Sequence, residues 1–510
     1  MSERPARPVP PAQHERRRLN AWDAAFLYLD TPATPMCGGF LHVYAPVRGE
    51  SPTKRARRLR WHIERCIDAS PVFRRLVERA PLHLDHGWFV DGADVDLDYH
   101  LRHHVLPAPG SDLELNGLLA HLAAQPMDLG RPLWEIHIIE GLDAVEGAPK
   151  RSFALYLKVH HAGVDGRSAA EMTRVLHSVR PARNRIGRLP PLPAAPAPKR
   201  HTFAEALLGG MRRFAQLNVK VAETILEHAP RVGGGLVQRM LRELRGGAPK
   251  PTDTLVVPKC RFNTEVDTDR CYTHVSFPLA TIGAIREQVE GCTVNDVYLA
   301  VVGGALRRYL QHHRELPSSS LVTIVTMDIR PEKERGKGGN FVMVLRVPLG
   351  TDEPDAVARL TSIARATQRA KSQVNRPTRG GQTQKSANWA DVIPAALLWL
   401  VGSANRARIA ARLPPIANVG TTNVPGPREV LYLDGARMID FHGAPPTMHG
   451  TALVTNATSY DGALRVSVYG GRRVLPDPQR MRQYLQDSFD ELALPAAGRA
   501  ATQAEPQLRP

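Results

Sequence analysis

Val159-His160-His161-Ala162-Gly163-Val164-Asp165-Gly166 lies between two runs of different periodicity. Upstream, Phe153, Leu155, Leu157 and Val159 alternate with Ala154, Tyr156 and Lys158, the period-two pattern of a half-buried strand. One further step of the alternation turns His161 to the apolar side and His160 to the opposite one. Downstream, Ala169, Met172, Leu176 and Val179 recur at three- and four-residue intervals, so a helix is expected to begin just beyond Gly166, with Asp165 or Ser168 as its cap. The stretch is a strand-to-helix turn in an α/β chain.

Such a turn can support a defined chemistry. A neutral imidazole, with a reference pKa of about 6.5, can take a proton from an alcohol as its oxygen attacks a carbonyl. That requires one histidine facing a cavity and a rigid support behind it. Asp165, at the start of the helix, can hold the loop through backbone hydrogen bonds or an ion pair. Gly166 allows a backbone angle or a close approach that a side chain forbids. Adjacent histidines are common by composition alone in a chain with 20 of them; the fixed Asp-Gly and the flanking strand and helix make the pattern restrictive.

His160-His161-x-x-x-Asp165-Gly166 resembles the active-site motif of the coenzyme-A-dependent acyltransferase superfamily. Other stretches are similar to its bacterial wax ester synthase/diacylglycerol acyltransferase branch. These are Asn20-Ala21-Trp22-Asp23-Ala24-Ala25-Phe26 with Pro35-Met36, then Pro132-Leu133-Trp134, Val294-Asn295-Asp296, Gly339-Asn340, Asn423-Val424-Pro425-Gly426-Pro427 and Ser459-Tyr460-Asp461-Gly462, in that order. The resemblance implies two chloramphenicol-acetyltransferase-like α/β domains with an active-site tunnel between them. It implies His161 as general base, His160 as its support, Asp165 as a structural residue and Gly166 as a steric one. Asn295, or alternatively Thr458 or Ser459, would stabilise the oxyanion; Pro132, Leu133 and Trp134 would shape a substrate pocket, with Asp296 also in the substrate-binding set. Acyl-CoA would be a co-substrate, no separate cofactor is expected, and the acceptor would be a diacylglycerol or a fatty alcohol. No metal is expected, because the two histidines are neighbours without a third ligand at a suitable spacing. Two other readings stay open: a condensation-type transferase acting on another alcohol or amine, and a catalytically silent protein that binds lipid surfaces.

Bulk properties narrow the choice. The 510 residues suffice for two or more domains, and 43% hydrophobic with 23% charged residues is a globular composition. No run reaches the roughly 18 to 20 apolar residues needed to span a bilayer, and the polar, proline-rich opening lacks the apolar core of a signal peptide. Cys37, Cys66, Cys260, Cys271 and Cys292 are scattered and odd in number, which suits a reducing cytoplasm. A net charge of +17 favours an anionic partner. With 6% aromatic residues and no recognisable nucleic-acid module, nucleic acid is disfavoured. A cytoplasmic protein in peripheral contact with the inner membrane or lipid droplets is the expectation.

Along the chain, residues 1–18 read as a disordered tail, 19–180 as a first α/β domain, 181–201 as a Pro/Ala-rich linker, 202–495 as a second domain and 496–510 as a further tail. Strands are expected at 40–44, 88–90, 99–101, 136–140, 321–328 and 341–348, and helices at 53–69 and 113–124. Residues 202–245 carry two basic amphipathic patterns, while 371–388 reads as polar and mobile. Thr293-Val294-Asn295-Asp296 has the form of a helix start, which would set Asn295 at a positive helix end. The apolar run 392–401, followed by Arg406, Arg408 and Arg412, is too short to cross a bilayer and reads as a buried helix or an interfacial one. Residues 454–468, with Asp461-Gly462, read as an echo of the first strand and turn.

Overall fold

The computed structural model describes residues 17–164, 166–181, 204–213, 215–216, 257–328, 342–375 and 393–504. Two six-stranded mixed sheets organise them. The first runs, edge to edge, Tyr432–Leu433, Ala436–Ala444, Cys37–Tyr44, Ser152–His160, Trp134–Leu142, Leu101–Val105. The second runs Val342–Pro348, Val322–Asp328, Val419–Val424, Leu453–Tyr460, Ala463–Gly471, Arg270–Pro278. Each is largely antiparallel with a parallel step, at Leu101–Val105 against Trp134–Leu142 in one and on both sides of Val419–Val424 in the other. The sheets do not follow the division of the chain at 181–201. Residues 432–444 come from the second half and complete the first sheet, pairing Ala444 with Gly39 and Met438 with Tyr44.

The strand Ser152–His160 is buried along its whole length, which corrects the half-buried reading. Phe153, Leu155, Leu157 and Val159 pack with Leu59, Ile63 and Met172 of the helices Pro52–Ile67 and Gly166–Leu176. Ala154 and Tyr156 on the other face meet Leu115 and Leu119 of the helix Asp112–Ala124, together with Tyr272 and Tyr469 of the second sheet. A central strand covered on both faces carries an apolar run, and its polar members must find partners inside. The second core surrounds the helix Val294–His312, buried from Asp296 through Leu306.

Local signals mostly form the expected elements, with small corrections. Arg17–Arg18 pair with Phe89 and Trp88, so the tail ends earlier than residue 18. The last helix, Pro478–Ala504, runs past residue 496. Leu97–His100 is a helical turn, capped by Asp96, before the strand Leu101–Val105 begins. The helix Ala356–Asn375 extends into the stretch read as mobile. Asp461 and Gly462, at φ 44° and 77°, make the tight turn between two antiparallel strands, so this dipeptide is a hairpin turn and no counterpart of Asp165-Gly166. Residues 182–203, all of 217–245 and Gly339-Asn340 lie outside the described residues. No described helix is long and apolar enough to cross a membrane.

Candidate active site

The turn that follows Ser152–His160 is tied at successive backbone positions. The His160 N–H donates to the Leu133 carbonyl at 3.1 Å, the His161 N–H to the Met36 carbonyl at 2.9 Å, and the N–H groups of Gly163 and Val164 to the His160 carbonyl at 3.0 and 3.1 Å. Leu133 also presses on the turn with its side chain, since a Cβ at Gly163 would lie 2.7 Å from Leu133 Cδ1. Trp134 is fully buried, donates its indole N–H to the Phe73 carbonyl at 2.8 Å and stacks on His100. The structure places Pro132, Leu133 and Trp134 behind the turn, all three buried.

The two histidines are held differently. His160 is buried, and its Nδ1 accepts the Ala162 N–H at 3.1 Å, which puts the proton of the neutral ring on Nε2. That Nε2 faces Asp30 Oδ1 at 3.3 Å. The same Asp30 oxygen accepts the Met36 N–H at 2.8 Å, and the Met36 carbonyl in turn receives His161. Asp30 therefore braces both histidines, one directly and the other through a peptide. His161 is partly exposed and stacks on Phe26, with ring centroids 5.0 Å apart. Its Nε2 looks across Gly38, where a Cβ would stand 3.1 Å from that nitrogen, 3.3 Å from the Ala444 carbonyl oxygen and 3.4 Å from Pro446 Cδ. Cys37, beside Gly38, is no competing nucleophile: burial pushes its thiol up to about 12. Of the motif's remainder, Asp165 lies outside the described residues, Gly166 opens the helix, and Ser168 sits inside its first turn, past the cap position.

The second half brings a polar group of its own. Thr293 and Asp296 form the reciprocal cap of the helix Val294–His312. Asp296 is buried; one of its oxygens accepts from Thr367 Oγ1 at 2.7 Å and the other from the Thr293 N–H at 2.9 Å and its hydroxyl at 2.7 Å. Its carboxylate is therefore committed to the helix start, and its place is structural. Asn295, next to it, accepts from Asn423 Nδ2 through Oδ1 at 3.3 Å, which orients the amide. Asn423 is in register with Ala457, beside Thr458. Thr458 is buried and donates its hydroxyl to the Phe441 carbonyl at 2.9 Å, while Ser459 Oγ accepts the Gly426 N–H at 3.3 Å. Phe441 belongs to the first sheet and stacks on Phe40, two residues beyond Gly38. An apolar cavity of about 150 Å³ lies on the second sheet, lined by Ile324, Gly420, Thr422, Pro446, Met448 and Val454 among others. Pro446 is common to this cavity and to the space in front of His161. Among the described residues no group of three or more His, Cys, Asp or Glu is placed to hold a metal ion.

Residues 19–298 match the wax ester synthase/diacylglycerol acyltransferase catalytic domain, and residues 338–493 match the C-terminal domain of the same family. The chain belongs to that family. It is 30% identical, over 94% of its length and 97% of the relative's, to a Mycobacterium tuberculosis protein provisionally named a diacylglycerol O-acyltransferase. A second such M. tuberculosis protein is 33% identical over 92% of this chain and 98% of its own. The wax ester synthase/diacylglycerol acyltransferase of Marinobacter aquaeolei VT8 has a similar structure, with a TM-score of 0.62 and 28% identity over 94% of this chain and all of that one. A condensation domain of the calcium-dependent antibiotic synthetase shares the fold, with a TM-score of 0.51 at 18% identity over 95% of this chain and 97% of its own.

In this member of the family, the cradle of the partly exposed histidine is built by Phe26, Asp30, Met36 and Gly38. Phe26 and Met36 lie within the opening segment whose likeness to the family is visible in sequence, but their contacts with the turn are not. Gly38 offers a direct test, because the gap over it is narrower than a side chain. Gly38→Val is expected to lower kcat by about 10²-fold through displacement of the His161 ring, the cost of roughly 1 Å of misplacement. The added methyls also overpack a buried strand position at a cost of about 1–3 kcal/mol, so the thermal midpoint should fall, and steady-state kinetics well below that midpoint separate the two effects. An unchanged kcat would show that the space over Gly38 plays no part.

Proposed function

We propose that the chain transfers a long-chain acyl group from acyl-CoA to the hydroxyl of a diacylglycerol or a fatty alcohol, giving triacylglycerol or wax ester. His161 takes the hydroxyl proton as the oxygen attacks the thioester carbonyl. The tetrahedral oxyanion then collapses, the C–S bond breaks, and the departing thiolate of coenzyme A recovers the proton from the imidazolium. Asn295 is the preferred oxyanion donor: its amide oxygen is engaged by Asn423, leaving its NH₂ to donate, and it sits at the positive end of a long helix. Thr458 is a weaker candidate, because its hydroxyl proton is used on Phe441. Asp30, through His160 and Met36, keeps the base in place.

The observation that carries this reading is the asymmetry of the histidine pair. One imidazole is sealed and hydrogen-bonded, while its neighbour is partly open beside a proline that also walls an apolar cavity. The cavity's apolar lining suits a segment of an alkyl chain. Acyl-CoA acts as substrate, with no separate cofactor, and the positive charge of the chain supports peripheral contact with the inner membrane or lipid droplets from the cytoplasmic side. Purified protein incubated with palmitoyl-CoA and either hexadecanol or a diacylglycerol should release free thiol only when donor and acceptor are both present. Thiol release with amine acceptors alone would favour condensation chemistry. No release with any acceptor would leave a lipid-binding protein.

A further inference from the structure

The helix Ala395–Arg406 carries an apolar surface that acyl transfer at His161 does not use. Its buried stripe, Ala395, Leu398, Gly402 and Asn405, seats on the helix Ala21–Leu29, with Asn405 Nδ2 donating to the Leu29 carbonyl at 2.8 Å and Leu398 sharing a core cluster with Leu27 and Ala162. A surface helix of this kind normally turns polar residues outward. Here the outward side holds Leu397, Trp399, Leu400 and Val401, each between 43% and 58% exposed. Residues 395–402 contain no polar side chain, so the helix is apolar all round for its first two turns.

The neighbouring turn presents the same character. Leu82 is 73% exposed, on a turn where Leu82 and His83 both take left-handed backbone angles, φ 52° and 55°. Two such residues in succession are costly without glycine, and the cost is sustained where the surroundings over-determine the turn. His83 supplies that hold: its ring packs on Trp399, and its Nδ1 meets the Tyr28 hydroxyl at 3.2 Å. Exposed arginines, Arg406 and Arg412, follow the apolar face along the chain, with Arg408 between them paired to Glu265 at 3.0 Å.

We propose that this face is the seat of the protein on a phospholipid surface bearing anionic headgroups, a reading that rests on the lipid acyl transfer argued above. Leu397, Leu400, Val401 and Leu82 enter the boundary between headgroups and acyl chains, and Trp399 lies at that boundary, where an amphipathic ring is favoured. The arginines meet the headgroup phosphates, in keeping with a chain of net charge +17. Placement gives the face its use. It is the outer side of a helix that packs on Ala21–Leu29, whose Phe26 stacks on His161, so the lipid seat and the base are held by one pair of packed helices.

The full chain and its Leu397→Glu/Leu400→Glu variant, mixed with phosphatidylcholine vesicles with and without phosphatidylglycerol, provide the test. The native chain is expected to float with the phosphatidylglycerol vesicles and to dissociate as salt is raised. The variant should partition at least about tenfold less, with an unchanged thermal midpoint and unchanged thiol release from acyl-CoA to a short water-soluble alcohol. Undiminished flotation of the variant would overturn the proposal. So would a shift from dimer to monomer, or a lowered midpoint, without any change in flotation, since the face would then belong to a second copy or to the chain itself. Absence of thiol release from the native chain would count against acyl transfer, while flotation would still report on the face.

Discussion

Replacing His161 by alanine is expected to lower kcat by about 10²- to 10⁴-fold, the usual contribution of a positioned general base, while KM for palmitoyl-CoA changes little. In the proposed role the imidazole would make its essential interaction only as the hydroxyl proton leaves, so its loss would fall on the transition state more than on binding. Residual transfer would remain, because two substrates held together still react faster than in water. His160→Ala should behave differently. That ring accepts the Ala162 N–H and faces Asp30 from a fully buried position, so its removal opens a void and loosens the turn, lowering thermal stability along with kcat. The pair therefore separates a chemical role from a supporting one. Single-turnover thiol release beside thermal unfolding reads both, and full turnover by His161→Ala would remove the proposed base.

What could be read from the chain and what could not divide along physical lines. The turn at His161 is legible because the hydrophobic period changes from two to about 3.6 across it, and the start of the helix Val294–His312 because Thr293 and Asp296 cap each other within one turn. Both are local devices. The cradle of Phe26, Asp30, Met36 and Gly38 is not local, since each residue meets the turn only after Cys37–Tyr44 has paired with Ser152–His160. A period-two pattern reports which side chains share a face but not which strand lies alongside. Hence the pairing of Ala436–Ala444 with Cys37–Tyr44, which draws the second half of the chain into the first sheet, left no mark in either segment alone. The same limit misled the reading of Tyr156, Lys158 and His160. Polar or amphipathic residues on alternate positions suggest a face turned to solvent, yet these are buried, and Lys158 and His160 each meet a carboxylate, Glu135 and Asp30. Asp461-Gly462 shows the converse: a short dipeptide serves a hairpin as readily as a strand-to-helix turn, and the strands on either side decide.

The ion pair behind the turn gives the largest expected effect on stability. Lys158 and Glu135 face each other across adjacent strands, two residues before His160 and one after Trp134, and both side chains are buried. Lys158 Nζ donates to the Gln125 carbonyl at 2.8 Å and lies 3.3 Å from Glu135 Oε2, which also faces His137 Nε2 at 3.2 Å; Arg102 reaches the other Glu135 oxygen at 3.3 Å. Burial by itself would push the Glu135 carboxyl up, but the His137 hydrogen bond and the charges of Lys158 and Arg102 outweigh it and hold the group at about 2. Glu135→Leu leaves the Lys158 ammonium in the interior without its carboxylate, and removal of one member of a buried pair costs about 3–5 kcal/mol. The companion change Lys158→Met should recover most of that loss, because a well-packed apolar pair of similar volume is close to neutral, so the two substitutions should be far from additive. The effect has a pH signature. A carboxyl with a lower pKa folded than unfolded contributes stability that is complete above about 4.5 and is lost as the pH falls toward 2. The gap in unfolding free energy between the native chain and Glu135→Leu should therefore be constant near neutrality and narrow below pH 4.5. Urea unfolding of the native chain, the single variant and the double variant reads all three expectations. A single variant within 1 kcal/mol of the native chain would mean that Lys158 finds its charge partner elsewhere, and the strand that carries His160 would owe its hold to packing alone.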